Sequence, residues 1–477
     1  MHPKAEFLRY ASPNEMRTIA REDVGFYHAV VIGAVYNFAG EVDVKSPRTY
    51  VHALRRCIEE HPFFCVTVGD RNTENAYFER VSSINVEEHL IIVEDPAVET
   101  NSLDAIGKSM RSELDHSLVS DGIPPWRIVV LPLSPSQCHV AFAYSHTIGD
   151  GIAGVAFHKT FLAGLREAPA TTPSDVIAPP AKPLPEAFDT AERLAISWSF
   201  LLAPVIANFV PYWMVRLLGL RVSASHVNEG TWTATPMFFD TKTYKNKLKI
   251  CQIDASQVNK AVQLARVHDA RLSGVMHQLI VRALSKAISD DKITNFVGQT
   301  AINMRKSIGM SNDVATDAAS GAYTVHMRSA ATGPLTEQEW TSASEASKEF
   351  AETSIKLQDN AIGLLRYVSS IRKWTLGKIG KKRDTSYEFS NVGTFDGNVR
   401  EDAPEKEQVE VTKLTFAQPG HVGGCAIAFN VSSIKRGDLV YTVTWQSGAL
   451  GLGNEADEEK AVEEICANIQ QGFNDLA

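Results

Sequence analysis

The stretch WRIVVLPLSPSQCHVAFAYSHTIGDGIAGVAFHKTFLAGL, residues 126–165, decides how the chain is read. WRIVVL (126–131) and HVAFAY (139–144) are rich in β-branched and aromatic residues and flank the turn-rich PLSPSQ, which predicts an antiparallel hairpin. From Gly151 the period changes: Ala153, Phe157, Phe161 and Leu165 recur every four residues, predicting a helix over about 151–167. Between strand and helix lies Ser145-His146-Thr147-Ile148-Gly149-Asp150-Gly151. A short turn of this kind presents His146 at the rim of a sheet, facing a cleft yet rigidly held. An imidazole that titrates near neutrality suits a general base there. Gly149 and Gly151 leave room for backbone bends or for a substrate to approach. Asp150 has two roles open to it, the N-cap of the helix or a strut paired with a distant arginine, and both can hold. Most of the 14 histidines must be ordinary core or surface residues; the turn is what sets His146 apart. A metal on His146 and Asp150 would need helix where Thr-Ile-Gly favours a turn, and no third ligand stands at a recognisable spacing. No metal is expected.

Working outward, SPRTYVHALRRCIEEHP (46–62) predicts a helix capped by Ser46 with Pro47 at its first position, and FFCVTV (63–68) a short strand. Downstream, six prolines between 169 and 185 predict a stiff linker. LAISWSFLLAPVIANFVPYWMV (194–215) then runs 22 residues without a charge, long enough to span a bilayer. Pro204, Asn208, Pro211 and two serines break such a span, so the segment reads as a lid or buried crossover element, with peripheral membrane contact as the alternative. The second half predicts helices over 256–268 and 273–288 and a strand over 296–304. Further strands fall near 411–417, 425–433 and 439–446, the last two joined by KRGD, and a closing helix carries Val462, Ile465, Ile469 and Phe473 on one face. Helices mixed with largely antiparallel strands make the fold α+β, divided as 1–168, 169–230 and 231–477.

The remaining composition excludes several functions. Across 477 residues, 47 basic and 56 acidic side chains leave a net charge of −9, which disfavours nucleic acid as a partner. Six cysteines stand singly, and the charged N-terminus has no apolar stretch of the secretory kind. The expected location is the cytoplasm, with the surface of an internal membrane as the alternative; Asn430 in its Asn-Val-Ser triplet lies inside a strand-like run and does not change this. No GxSxG elbow occurs. GKIGKK (377–382) lacks Walker spacing, and GALGLG (448–453) does not follow the dinucleotide pattern.

HTIGDG (146–151) resembles the HxxxDG motif shared by BAHD acyltransferases, condensation domains of peptide synthetases and fungal alcohol acetyltransferases. Resemblance to the last of these extends, in order, through ALRRCIEEHP, PPWRIVVL, LARVHDARLSGVMHQLI, AINMR, SYEFSNVGTF and VSSIKRGDLVYTVTWQSG. It implies two chloramphenicol-acetyltransferase-like subdomains, mixed sheets flanked by helices, with a tunnel between them. It further implies an acyl-CoA-dependent O-acyltransferase without a permanently bound cofactor. Acetyl-CoA would be the co-substrate, a small apolar or secondary-metabolite alcohol the acceptor, and a monomer the working form. His146 would be the base of a direct transfer in a ternary complex. Asp150 would pair with Arg305 of Asn303-Met304-Arg305, and Gly151 would complete the motif. Asn303, Ser390 and Asn391 are implied tunnel-lining candidates, and His421 on Gly420-His421-Val422-Gly423-Gly424 is a further one, first read as an ordinary loop histidine. The basic run 377–382 with Arg383 reads as a solvated face, with the CoA phosphates as its other use. Two departures bear on the reaction. Ser145 stands where condensation domains carry a first histidine, and the plant DFGWG motif is absent. The alternatives are N-acylation of an amine, or a condensation-fold protein that binds ligand or catalyses another reaction.

Overall fold

The chain opens with β1 (Glu6–Tyr10), α1 (Pro13–Asp23), β2 (Val30–Phe38), α2 (Arg48–Glu60), β3 (Val66–Gly69), β4 (Tyr77–Arg80), β5 (Ile84–Asn85) and β6 (Leu90–Ile92). There follow α3 (Ser102–Leu114), β7 (Trp126–Ser134), β8 (Gln137–Tyr144), α4 (Gly151–Leu165), β9 (Val176–Ile177) and α5 (Trp198–Ala207). The second half carries β10 (Asn246–Ile253), helices Ala255–Val267 and Leu272–Ala287, β11 (Asn295–Asn303), β12 (Ala319–Met327) and helix Glu337–Ile355. It closes with β13 (Tyr387–Phe395), β14 (Val409–Ala417), β15 (Ile427–Ile434), β16 (Leu439–Gln446) and helix Glu455–Asp475. This computed structural model describes residues 5–167, 174–207, 226–398 and 408–476.

Two mixed sheets organise these elements, as the α+β reading requires. One runs β14-β2-β8-β7-β6 and the other β10-β16-β15-β13-β11-β12. The hairpin β7–β8 pairs Trp126 with Tyr144, and α4 lies on its sheet because Phe142 and Phe157 stack at 3.9 Å. A stacked aromatic pair adds about 0.5–1.5 kcal/mol beyond area burial, and it seats the middle of α4 on the sheet. The second sheet packs under the helix pair 255–287 and the closing helix, where Val462, Ile465, Ile469 and Phe473 are all buried. β14 belongs by sequence to the second half but pairs antiparallel with β2, from Val409 opposite Phe38 to Ala417 opposite Val31. Ser432 Oγ and Thr442 Oγ1 donate to the carbonyls of Leu414 and Phe416, at 2.8 and 2.6 Å, and stitch it to the second sheet as well.

Local differences from the sequence reading have physical causes. Pro47, not Ser46, holds the cap position of α2, without a side-chain cap bond; the Ser46 N–H closes a turn on the Asp43 carbonyl. Residues 62–65 form a 3-10 turn that drives Phe63 and Phe64 into the core, so the strand begins only at Val66. Of the proline-rich stretch, the described part from residue 174 lies along the first half: β9 pairs with β5, and Lys182 Nζ donates to the Glu59 carbonyl. In the uncharged stretch 194–215, Leu194 is buried with Phe188, Ile302 and Met304, whereas Trp198 on α5 is 77% exposed. Residues 208–215 lie outside the described residues, and no described helix is long and apolar enough to cross a membrane.

Candidate active site

His146 sits on the turn between β8 and α4, and several bonds hold that turn. Ser145 N–H donates to the Pro125 carbonyl at 2.9 Å, Ile148 N–H to the Ser145 carbonyl at 3.1 Å, and Tyr144 Oη to the Asp150 carbonyl at 2.6 Å. Gly149 and Gly151 serve close packing. A Cβ on Gly149 would stand 2.4 Å from Ala153 Cβ, and one on Gly151 would stand 2.8 Å from Val392 Cγ1.

Asp150 takes both roles open to it. Its Oδ1 accepts the N–H groups of Ile152 and Ala153 at 3.0 and 3.1 Å, capping α4. The same carboxylate receives both Arg305 Nη atoms at 2.8 Å and the Ala318 N–H at 3.0 Å. Arg305 is fully buried; it also donates to the Thr316 carbonyl and to Asn303 Oδ1. Burial alone would raise the Asp150 carboxyl, but the Arg305 guanidinium and the backbone donors outweigh it and hold it below the usual range. A motif turn of the first half is thus clamped to a loop of the second.

Of the two nitrogens of His146, Nδ1 is sealed, lies 3.8 Å from Asp317 Oδ2 and has no hydrogen-bond partner, which leaves Nε2 to meet a substrate. Burial, and then the charges of Arg21 and Arg17, push this imidazole down to about 3, so it is neutral throughout the ordinary pH range. Asp317 is pushed up to about 7, first by burial and then by the nearby Asp150 charge.

His146 opens onto a cavity of about 410 Å³ walled by both halves. From the first half come Arg17, Arg21, Phe26 and Tyr27; from the second come Tyr323, Trp374, Lys378, Glu388, Gln418 and His421 among others. Tyr27 stands between the two histidines, with ring centroids 5.6 Å from His146 and 5.7 Å from His421. Its hydroxyl donates to Gln418 Oε1 at 3.1 Å, and Gln418 Nε2 donates in turn to Glu388 Oε1 and Ser390 Oγ at 2.9 and 3.1 Å. His421 Nε2 lies 3.5 Å from Glu388 Oε2.

The sequence candidates separate on this map. His146 and His421 line the cavity, while Asp150, Gly151 and Arg305 support its floor. Asn303 braces Arg305 and bonds Asn312. Ser390 lies behind the wall, and Asn391 faces outward, where its Oδ1 accepts the Gly393 N–H at 2.8 Å. Arg383 is buried rather than solvated and donates to the carbonyls of His421, Gly424 and Cys425. Sequence reasoning passed over Arg17, Arg21, Tyr27, Asp317 and Gln418, none of which stands in a local motif. The one available signal was Arg17 and Arg21 at i, i+4, which shares a helix face.

Glu388, His421 and Cys425 bring donor atoms within 4.8 Å of one another, a set that sequence spacing did not disclose. Burial and the Glu388 charge hold the Cys425 thiol well above its ordinary range, and Lys378 and Arg383 stand close by. A protonated thiol amid cations is a poor cradle for a dication.

Comparison with known proteins identifies the family and the fold. The family model described as alcohol acetyltransferase matches residues 92–471. A probable alcohol acetyltransferase of Fusarium pseudograminearum is 20% identical over 442 residues, covering 85% of this chain and 86% of that protein. An uncharacterised protein of Schizosaccharomyces pombe is 20% identical over 442 residues, covering 91% of each. Among solved structures, a trichothecene 15-O-acetyltransferase from Fusarium sporotrichioides superposes with a TM-score of 0.65 at 12% identity, covering 98% of each chain. The starter condensation domain of rhizomide synthetase, solved with C8-CoA, superposes with a TM-score of 0.56 at 12% identity, covering 98% of this chain and 94% of that one. These likenesses establish the two-subdomain fold of acyltransferases and condensation domains.

Proposed function

The chain belongs to the alcohol acetyltransferase family and is an acyltransferase, and from that premise we propose that it transfers an acetyl group from acetyl-CoA to the hydroxyl of a small acceptor, with His146 as the base. Nε2 takes the hydroxyl proton as the acceptor oxygen bonds to the thioester carbonyl carbon. The tetrahedral intermediate collapses, the C–S bond breaks, and the imidazolium returns its proton to the departing CoA thiolate. No acyl-enzyme is needed, and much of the acceleration comes from holding three groups in one cavity. The observation that carries this reading is His146 at the wall of the cavity, on a turn that Asp150 and Arg305 keep from relaxing.

A cytoplasmic setting fits a co-substrate made and used there. The test is thiol release from acetyl-CoA with a panel of alcohols and amines. His146→Ala is expected to lower kcat/KM by about a hundred- to ten-thousand-fold; equal rates in the two proteins would defeat the assignment.

A further inference from the structure

The cavity wall beside His146 is unusually cationic for an acidic protein. Arg17 and Arg21 project from one face of α1, and Lys378 enters from the opposite half. The Arg21 guanidinium lies over the Tyr27 ring at 4.8 Å, and its buried Nε has no hydrogen-bond partner. Lys378 Nζ lies 4.4 Å from the Trp374 ring centroid and, among the described residues, donates to the Gly423 carbonyl alone, at 2.9 Å. Among the described residues, no carboxylate forms an ion pair with Arg21 or Lys378. Two acids share this wall: Asp384, whose charge bears on Lys378, and Glu388, which is occupied by Gln418, Ser390 and His421.

A half-buried guanidinium whose sealed Nε has no acceptor is costly, because that donor's desolvation is only partly compensated. The neighbouring groups register a cationic excess: burial, then repulsion from Arg17, lowers Arg21 to about 10, and burial, opposed by the Asp384 charge and aided by Arg17 and Arg21, lowers Lys378 to about 8. An anion placed among them would relieve that repulsion and complete the unused donors of a planar fork suited to a carboxylate. Phe26, Leu365, Val368 and Trp374 supply apolar wall to the same cavity.

We infer that Arg21, supported by Arg17 and Lys378, receives an anionic group of the acceptor, so that the preferred substrate is a hydroxy acid whose carboxylate is joined to its hydroxyl by an apolar spacer. This rests on the acyl-transfer reading above. Tyr27 packs between His146 and Arg21, which puts the anion and the reacting hydroxyl in one cavity with a ring's breadth between them. The phosphates of CoA are the other anions available, but the length of the pantetheine arm separates them from the thioester.

The test pairs 4-(hydroxymethyl)benzoate with its methyl ester. Wild-type protein should favour the acid by at least about tenfold in kcat/KM, the scale of a charge-assisted contact in a desolvated site. Arg21→Gln should erase most of that preference, and Arg21→Lys, which keeps the charge, should retain part of it. A wild type that turns over both equally leaves acyl transfer standing and overturns the inference. Calorimetric titration of the two compounds into His146→Ala protein without acetyl-CoA decides the same question with no turnover at all. Acid binding that exceeds ester binding and is lost when Arg21→Gln is added supports the inference even if acetyl transfer fails; equal binding overturns it. Comparing acetyl-CoA with S-acetylpantetheine in wild type and Arg21→Gln separates the two anion sources. If the variant instead loses discrimination between these donors, Arg21 holds a CoA phosphate and the acceptor assignment falls.

Discussion

Arg305 shows how much one side chain can decide. It is wholly buried and gives its planar fork to Asp150, whose oxygens also cap α4 and hold Ala318. Removing it leaves a buried carboxylate unpaired, so Arg305→Ala is expected to cost about 3–5 kcal/mol in urea denaturation and to lower activity as the turn relaxes. A stable, fully active variant would show that the clamp is dispensable. The pair's contribution is present above the unfolded carboxyl value of about 4 and is lost only as pH falls through the depressed folded value.

The pH dependence of the reaction belongs to another residue. Because His146 is neutral above about 3, its protonation imposes no loss near the ordinary imidazole value of about 6.5. Asp317, 3.8 Å from Nδ1, gains its charge as pH rises through about 7 and then draws on the Nδ1 proton, which strengthens Nε2 as a base. The expected profile is a kcat/KM that climbs through pH about 7 in wild type and is flat there in Asp317→Asn. An unchanged limb in the variant would assign it elsewhere.

At the scale of elements, the loop after β14 is held with little tolerance. A Cβ on Gly420 would stand 2.1 Å from the backbone nitrogen of Gln446, an atom that cannot move aside. The Gly420 N–H also donates to Asn246 Oδ1 at 2.7 Å. Gly420→Ala should therefore lower the melting temperature and displace His421 from Tyr27, seen as a changed His421 ring resonance in NMR. Retention of both would mean that the loop yields more easily than its contacts imply.

Elements with a strong period were legible from sequence: α4 and the helices 255–267 and 272–287 lie within two residues of their expected bounds, and the closing helix buries its expected apolar face. The tie between Asp150 and Arg305 was legible through two short motifs, HTIGDG and AINMR. Tyr27, Arg21 and Gln418 were not, because their meeting depends on tertiary approach across several hundred residues and leaves no local mark. Asn391 was misplaced for a related reason. Strand alternation sends neighbours to opposite faces, and the register that settles which face is inner comes from the pairing of β13 with β15.

At the scale of the whole molecule, the two halves are not separable pieces. β14 completes the sheet of the first half while its hydroxyl contacts bind it to the second. A fragment of residues 1–168 would leave β2 as a long apolar edge, VVIGAVYNF, without its outer partner. Such a fragment is expected to aggregate or to unfold without cooperativity, whereas co-expression with residues 231–477 should restore a soluble complex. A monodisperse, cooperatively melting fragment would show that the first half stands alone.

The same strand sets a timetable for synthesis. Val31 and Ala417 are partners in one ladder, so the first sheet cannot close until almost the entire polypeptide has left the ribosome. Through most of translation the apolar edge of β2 has no outer partner, so mispairing competes with folding for as long as synthesis lasts.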